Sequence, residues 1–163
     1  MLMDKQYFLG LDCSTKAVHG IVLDERGLLQ QRFKWSSKDP EFNVRFVSNS
    51  QSFLAELSKI KITYPNLKVA VEAPIFIQNP KTTIQLSAVI YTIFFVCCMK
   101  GLAPIFIENT KWKKYVLEKG NVSKKQIADF AQIFWKADFE EQDWADAACI
   151  ALWCRFNFLG EDI

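Results

Sequence analysis

A chain of 163 residues, half of them hydrophobic, 14% aromatic and 23% charged, has the makeup of one packed domain spanning 1–163 and excludes a disordered or low-complexity polypeptide. Its formal charge of +2 is too small to argue for or against a polyanionic partner, so the distribution of charge matters more than its sum. Five cysteines (Cys13, Cys97, Cys98, Cys149, Cys154) show no Cys-x-x-Cys spacing, which argues against a zinc site and for buried thiols in a reducing compartment.

Residues 6–12 read as a short apolar strand closed by Asp12, and 18–24 and 28–34 as two more strands. The Asp24-Glu25-Arg26-Gly27 turn predicts a hairpin between the second and third, giving an antiparallel meander. The stretch 35–50 is polar and reads as irregular, with Ser50 capping a helix over 51–62. A β-branched run, 68–74, carries Glu72 and stops at Pro74. From Ile84 to Met99 runs an apolar stretch, IQLSAVIYTIFFVCCM, shorter than the about 20 residues of a bilayer span. A helix apolar on nearly every side, here 81–99, is expected to be buried between a sheet and another subunit rather than in a membrane. Strand 103–109 follows, then helices over 110–119, 123–136 and 142–157. The order predicts an α/β fold with a mixed five-stranded sheet, an antiparallel meander plus parallel strands, flanked by helices. The opening residues, MLMDKQYF, carry charges where a signal peptide needs an apolar core, so the expected location is cytoplasmic.

The acids fall at telling places. Asp12 and Glu72 close apolar strands, and ligands of open α/β sheets gather outside strand carboxyl ends. Asp143 and Asp146, three apart, share one face of a helix's first turn. An all-oxygen donor set suits Mg²⁺ or Mn²⁺, and two such ions activate water and stabilise the leaving oxygen in phosphodiester cleavage. Taken singly, each acid also fits an ordinary role at a turn, strand end or helix start. Residues 111–125 hold six lysines (Lys111, Lys113, Lys114, Lys119, Lys124, Lys125) and one acid, Glu118. Such a run is a solvated face or a set of phosphate contacts. The single histidine, His19, has no evident partner in the sequence.

The segments FLGLDCSTKAVHGIVLD, VAVEAPIF and DWADAACIALW resemble the RuvC-type Holliday junction resolvases of the RNase H-like superfamily, over roughly residues 6–157. The resemblance implies an RNase H-like fold and a homodimeric, Mg²⁺-dependent endonuclease that resolves four-way junctions, and possibly other branched DNA, by paired symmetric nicks. It assigns Asp12, Glu72, Asp143 and Asp146 as ligands of two metal ions. It places the family's two basic residues on Lys113 and Lys124, with Lys111, Lys114, Lys119 and Lys125 as generic DNA contacts. Its loop aromatic falls on Phe76, or on Ile75 one residue earlier. Cys13 and Ser14 replace the proline and glycine usual after the first acid, and Glu118-Lys119-Gly120 replaces a Gly-x-Gly turn. These departures are reminiscent of phage-encoded members, which would act in the host cytoplasm.

Three rival readings carry different expectations. LGLDCSTKAVHGIVLDERGLL also resembles the first phosphate loop of sugar-kinase and actin-like ATPases, which predicts ATP binding without DNA cleavage. A non-catalytic junction-binding protein of the same fold predicts binding without nicks. A sibling nuclease predicts preference for RNA–DNA hybrids or other branched DNA.

Overall fold

The computed structural model describes residues 5–160; of the expected domain 1–163, Met1–Asp4 and Glu161–Ile163 lie outside the described residues. The elements run β1 (Tyr7–Cys13), β2 (Ala17–Asp24), β3 (Leu29–Ser36), α1 (Phe42–Thr63), β4 (Leu67–Glu72), α2 (Pro80–Met99), β5 (Ile105–Ile107), α3 (Asn109–Leu117), α4 (Lys124–Trp135) and α5 (Gln142–Leu159). The sheet order is β3-β2-β1-β4-β5. β1, β2 and β3 pair antiparallel, while β4 pairs parallel with β1, and β5 with β4. This is the expected meander continued by parallel strands.

Local chemistry sets the two hairpins. The Ser14 hydroxyl accepts from the Ala17 amide and donates to the Ala17 carbonyl, each at 3.0 Å, closing the β1–β2 turn. Asp24 Oδ1 accepts from the amides of Arg26 and Leu28, and Gly27 adopts φ +78° to complete the next turn. The resulting register opposes Gly10 to Ile21 and Asp12 to His19.

Strand parity then sorts side chains into two cores. Phe8, Ile21, Leu23 and Ala70 face a layer of α3, α4 and α5, while Leu9, Leu11, Val22, Val69 and Val71 face α1 and α2. Asp12, His19 and Glu72 share parity with the first set. Helix α5 lies directly on β1: a Cβ at Gly10 would stand 2.2 Å from the Ala147 carbonyl oxygen and 2.3 Å from the Ala151 amide nitrogen. With Ala145, Ala147, Ala148 and Ala151 fully buried beneath it, the helix brings its first turn to the carboxyl end of β1.

One expected boundary is corrected. The first helix begins at Phe42, and Ser50 sits inside it rather than capping it. The polar stretch before Ser50 is helical because its polar side chains find partners off the helix and its aromatic ones pair along it. Arg45 donates to the carbonyls of Asp39 and Pro40 at 2.8 and 2.7 Å, Asn49 donates to the Lys16 carbonyl at 3.1 Å, and Phe42 stacks on Phe46. Helix α2 starts where expected, with Asn79 accepting from the amides of Lys81 and Thr82 and Pro80 at the first position. It is long and apolar enough, by length and composition, to cross a membrane. Leu86, Val89, Ile90, Ile93, Val96 and Cys97 of this helix close the second core.

Candidate metal centre

Asp12 and Glu72 reach the same end of neighbouring parallel strands, and Asp143 in the first turn of α5 and Asp146 just after it descend on them. One carboxylate oxygen from each of Asp12, Asp143 and Asp146 lies within 4.8 Å of the other two. Glu72 stands beside this trio, and its charge acts on both Asp12 and Asp146. Each side chain of the quartet therefore occupies one edge of the sheet.

Crowding and burial make ionisation costly there. Burial, then the charges of Glu72, Asp146 and Asp143, push the Asp12 carboxyl well above the usual range, with Lys124 opposing. Burial likewise raises Asp146 to about 6, against a hydrogen bond from Gln142 Nε2 at 3.2 Å; Glu72 and Asp143 add to the rise, and Lys113 opposes it. Glu72 is raised by burial and held back by donors on α3: Trp112 Nε1 at 2.7 Å, Asn109 Nδ2 at 3.0 Å, and the charge of Lys113. Several converging carboxylates with too little positive charge fit a hard divalent cation, and oxygen donors of this kind fit Mg²⁺ or Mn²⁺.

Of the sequence-predicted lysines, Lys113 and Lys124 are those whose charges reach the carboxylates. Lys113 Nζ stands 5.4 Å from the Trp112 ring centroid. Lys111 pairs with Glu108 at 3.1 Å and Lys125 with Asp129 at 2.6 Å. Lys114 and Lys119 are exposed on the same stretch. Phe76 is 82% exposed in the loop after Glu72, with Ile75 partly exposed beside it. At the replaced Gly-x-Gly turn, Glu118 holds φ +61°, a conformation that favours glycine.

A family described as Lactococcus phage M3 protein matches residues 55–156. The chain belongs to this family. The match runs from α1 to α5 and contains Glu72, Asp143 and Asp146 with the six lysines of 111–125. A comparison with curated proteins finds no match. Among solved structures, the chain is similar to Thermus thermophilus RuvC, with 14% identity, a TM-score of 0.74, and coverage of 96% of this chain and 98% of that one. It is similar also to T. thermophilus RuvC in complex with Holliday junction substrate (14% identity, TM-score 0.76, 95% and 94% covered). The yeast mitochondrial Holliday junction resolvase Ydc2 follows at 12% identity, TM-score 0.59, with 92% and 78% covered. At such identities the likeness establishes the fold, an α/β RNase H-like domain of RuvC architecture.

This member of the phage family holds its acids with residues that sequence reading missed. Trp112 and Asn109 clamp Glu72, and Gln142 holds Asp146. The i and i+4 spacing of Gln142 and Asp146 on one helix was a usable signal, whereas the α3 donors depend on tertiary packing. His19, without an evident partner in the sequence, has two here. Its Nε2 lies 3.0 Å from Glu141 Oε2, and its Nδ1 lies 3.7 Å from Asp143 Oδ2. Glu141 is gripped in turn by Lys34 Nζ at 2.6 and 2.7 Å. The bond from Lys34, then that of His19, lowers the Glu141 carboxyl below its usual range. Pairing β1 with β2 around the Ser14 turn sets His19 opposite Asp12, a signal that sequence reading left unused.

Proposed function

We propose that this protein is a divalent-metal-dependent endonuclease that resolves four-way DNA junctions by paired, symmetric nicks. The carrying observation is the convergence of Asp12, Asp143 and Asp146 oxygens within 4.8 Å, with Glu72 beside them. Support also comes from the fold shared with a RuvC solved in complex with Holliday junction substrate. Asp12, Glu72, Asp143 and Asp146 would hold two Mg²⁺ ions, or Mn²⁺ as substitute, which when bound supply an activated water and stabilise the leaving 3′ oxygen.

The chain's own residues do the rest. Trp112, Asn109 and Gln142 fix carboxylate orientation before substrate arrives, so little reorganisation is needed at the moment of reaction. Lys113 and Lys124 stand at the same edge and offer charge to a phosphate brought against the carboxylates. Lys111, Lys114, Lys119 and Lys125 extend that basic surface along α3 and α4, giving affinity and salt dependence without sequence reading. Exposed Phe76 would stack on an unpaired base of the junction.

Paired nicks require two active sites related by symmetry, hence a homodimer. Ile84, Tyr91, Phe95 and Met99 form an exposed apolar stripe on α2, at spacings that share one helical face. We take this stripe as the dimer contact. The working unit is the single domain 1–163, acting in the cytoplasm of the phage's host.

The test incubates purified protein with a synthetic four-way junction, a linear duplex and an RNA–DNA hybrid, in Mg²⁺ or chelator. Mg²⁺-dependent symmetric nicking of the junction is expected. Nicking of none of the three would end the nuclease reading, and preference for the hybrid would remove its junction part. Asp146→Asn should abolish cleavage and retain junction binding.

A further inference from the structure

We propose that His19 is a nitrogen ligand of the metal centre, binding through Nδ1 beside Asp143. The inference rests on the metal-centre reading above and extends it to a residue outside the carboxylate quartet.

Three observations carry it. First, the β1–β2 register sets His19 directly opposite Asp12, on the face that carries the carboxylates. Directly opposed residues have Cβ atoms about 4.5–5.5 Å apart, so the imidazole starts out beside Asp12, on the same side of the sheet. Second, the ring is 1% exposed and its orientation is fixed: Trp144 packs edge-on at 5.6 Å, and Nε2 meets the Glu141 carboxylate at 3.0 Å. A carboxylate only accepts, so Nε2 carries the hydrogen. In the neutral ring Nδ1 then bears a bare lone pair.

Third, that Nδ1 is buried and has no hydrogen-bond partner among the described residues. Buried polar atoms are nearly always paired, and an orphan asks for a missing ion or group. Its Asp143 neighbour at 3.7 Å is too distant for a hydrogen bond. It is well spaced for two donors sharing one cation, since ligands each about 2.1 Å from an ion lie roughly 3–4 Å apart. A histidine that gives its second N–H to a carboxylate is the usual setting of a ligating imidazole. Here Glu141 plays that part, anchored by Lys34 from β3. A purely structural histidine in this position would have both nitrogens satisfied. The chemical consequence is a mixed nitrogen and oxygen donor set, which favours Mn²⁺ over Mg²⁺ more than four carboxylates would.

His19 is the single histidine of the sequence, so the test is direct. Tag-free full-length protein labelled with ¹⁵N-histidine is loaded with substoichiometric Mn²⁺ and measured by pulsed electron paramagnetic resonance. A hyperfine coupling that changes from ¹⁴N to ¹⁵N on labelling is expected in the wild-type protein. In His19→Gln that coupling should vanish and Mn²⁺ affinity fall by about tenfold or more. Bound Mn²⁺ with oxygen ligands alone would overturn the role of His19 and leave the carboxylate centre standing. Folded protein that binds no Mn²⁺ would overturn both. Should His19→Gln fail to fold, the labelled wild-type spectrum decides alone.

Discussion

Helices α5 and α2 have similar compositions and opposite fates. Both are long, rich in aliphatic, aromatic and cysteine side chains, and interrupted by few charges. Yet α5 buries an unbroken run from Ala147 to Leu152, whereas α2 leaves Ile84, Tyr91, Phe95 and Met99 in solvent. The difference lies in what each helix meets. α5 carries alanines where it crosses β1, and Gly10 lets the backbones touch. α2 carries bulky residues all round and meets the sheet along one side only. Close approach on α5 serves position, because it delivers Asp143 and Asp146 to the end of β1. The uncovered side of α2 is free to serve association.

Filling the α5 contact should produce the largest effect. A Cβ at Gly10 meets the backbone of Ala147 and Ala151, not the end of a flexible side chain, so Gly10→Ala forces the helix away. Overpacking of this kind, with loss of the alanine contacts, should cost about 3 kcal/mol or more. Urea unfolding measures it. The same kind of addition at exposed Ala88 on α2, Ala88→Val, should change the stability of an isolated protomer by less than about 0.5 kcal/mol. Equal losses at the two sites would erase the distinction between the helices.

The carboxylates on α5 make the second prediction. The Asp146 carboxyl sits at about 6, above its ordinary 3.8, so the fold disfavours its ionised form. The unfolded chain releases that proton first. Metal-free stability should therefore fall as pH rises from about 4 to about 6, then level off. At neutral pH Asp146→Asn should raise the metal-free melting temperature. A shift of two units corresponds to at most about 3 kcal/mol. Solvent screening at the cleft rim reduces this to about 1–2 kcal/mol, or roughly 3–6 °C. Mg²⁺ should stabilise the wild-type protein more than the variant. Thermal melts at pH 5 and 7.5, with Mg²⁺ or chelator, read both; a destabilised Asn variant at pH 7.5 in chelator contradicts the account.

Why some of this was legible in the sequence and some was not follows from the range of each cause. The three early strands and the Asp24–Gly27 turn are local, and each appears where the pattern put it. Asp143 and Asp146 share a face by helical geometry alone. Joining them to Asp12 and Glu72 needed the family pattern, since strand order is not local. The start of α1 was hidden because Arg45 and Asn49 use their polarity on carbonyls outside the helix, Arg45 on those of Asp39 and Pro40 and Asn49 on that of distant Lys16. The grip of Trp112 on Glu72 joins residues from two elements, and no spacing announces it. His19 lies between these cases: its place opposite Asp12 follows from one hairpin, but Glu141 and Asp143 arrive from the far end of the chain.

The smallest effect on folding, and the sharpest contrast between the helices, is expected on the outer face of α2. Phe95 is 62% exposed and one turn from both Tyr91 and Met99. In an isolated protomer its ring contributes little to the core, so Phe95→Lys should move the unfolding free energy by less than about 0.5 kcal/mol. In a dimer built on this stripe the lysine would be desolvated against apolar side chains, at a cost of several kcal/mol. Sedimentation of wild-type protein should show a dimer at micromolar concentration, and Phe95→Lys a folded monomer. The centre of each protomer is untouched, so Mn²⁺ binding should survive in the monomer while paired nicking of a four-way junction is lost. A variant that stays dimeric would move the contact off α2. A variant that unfolds would show that α2 supports the protomer on both sides, and the contrast with α5 would disappear.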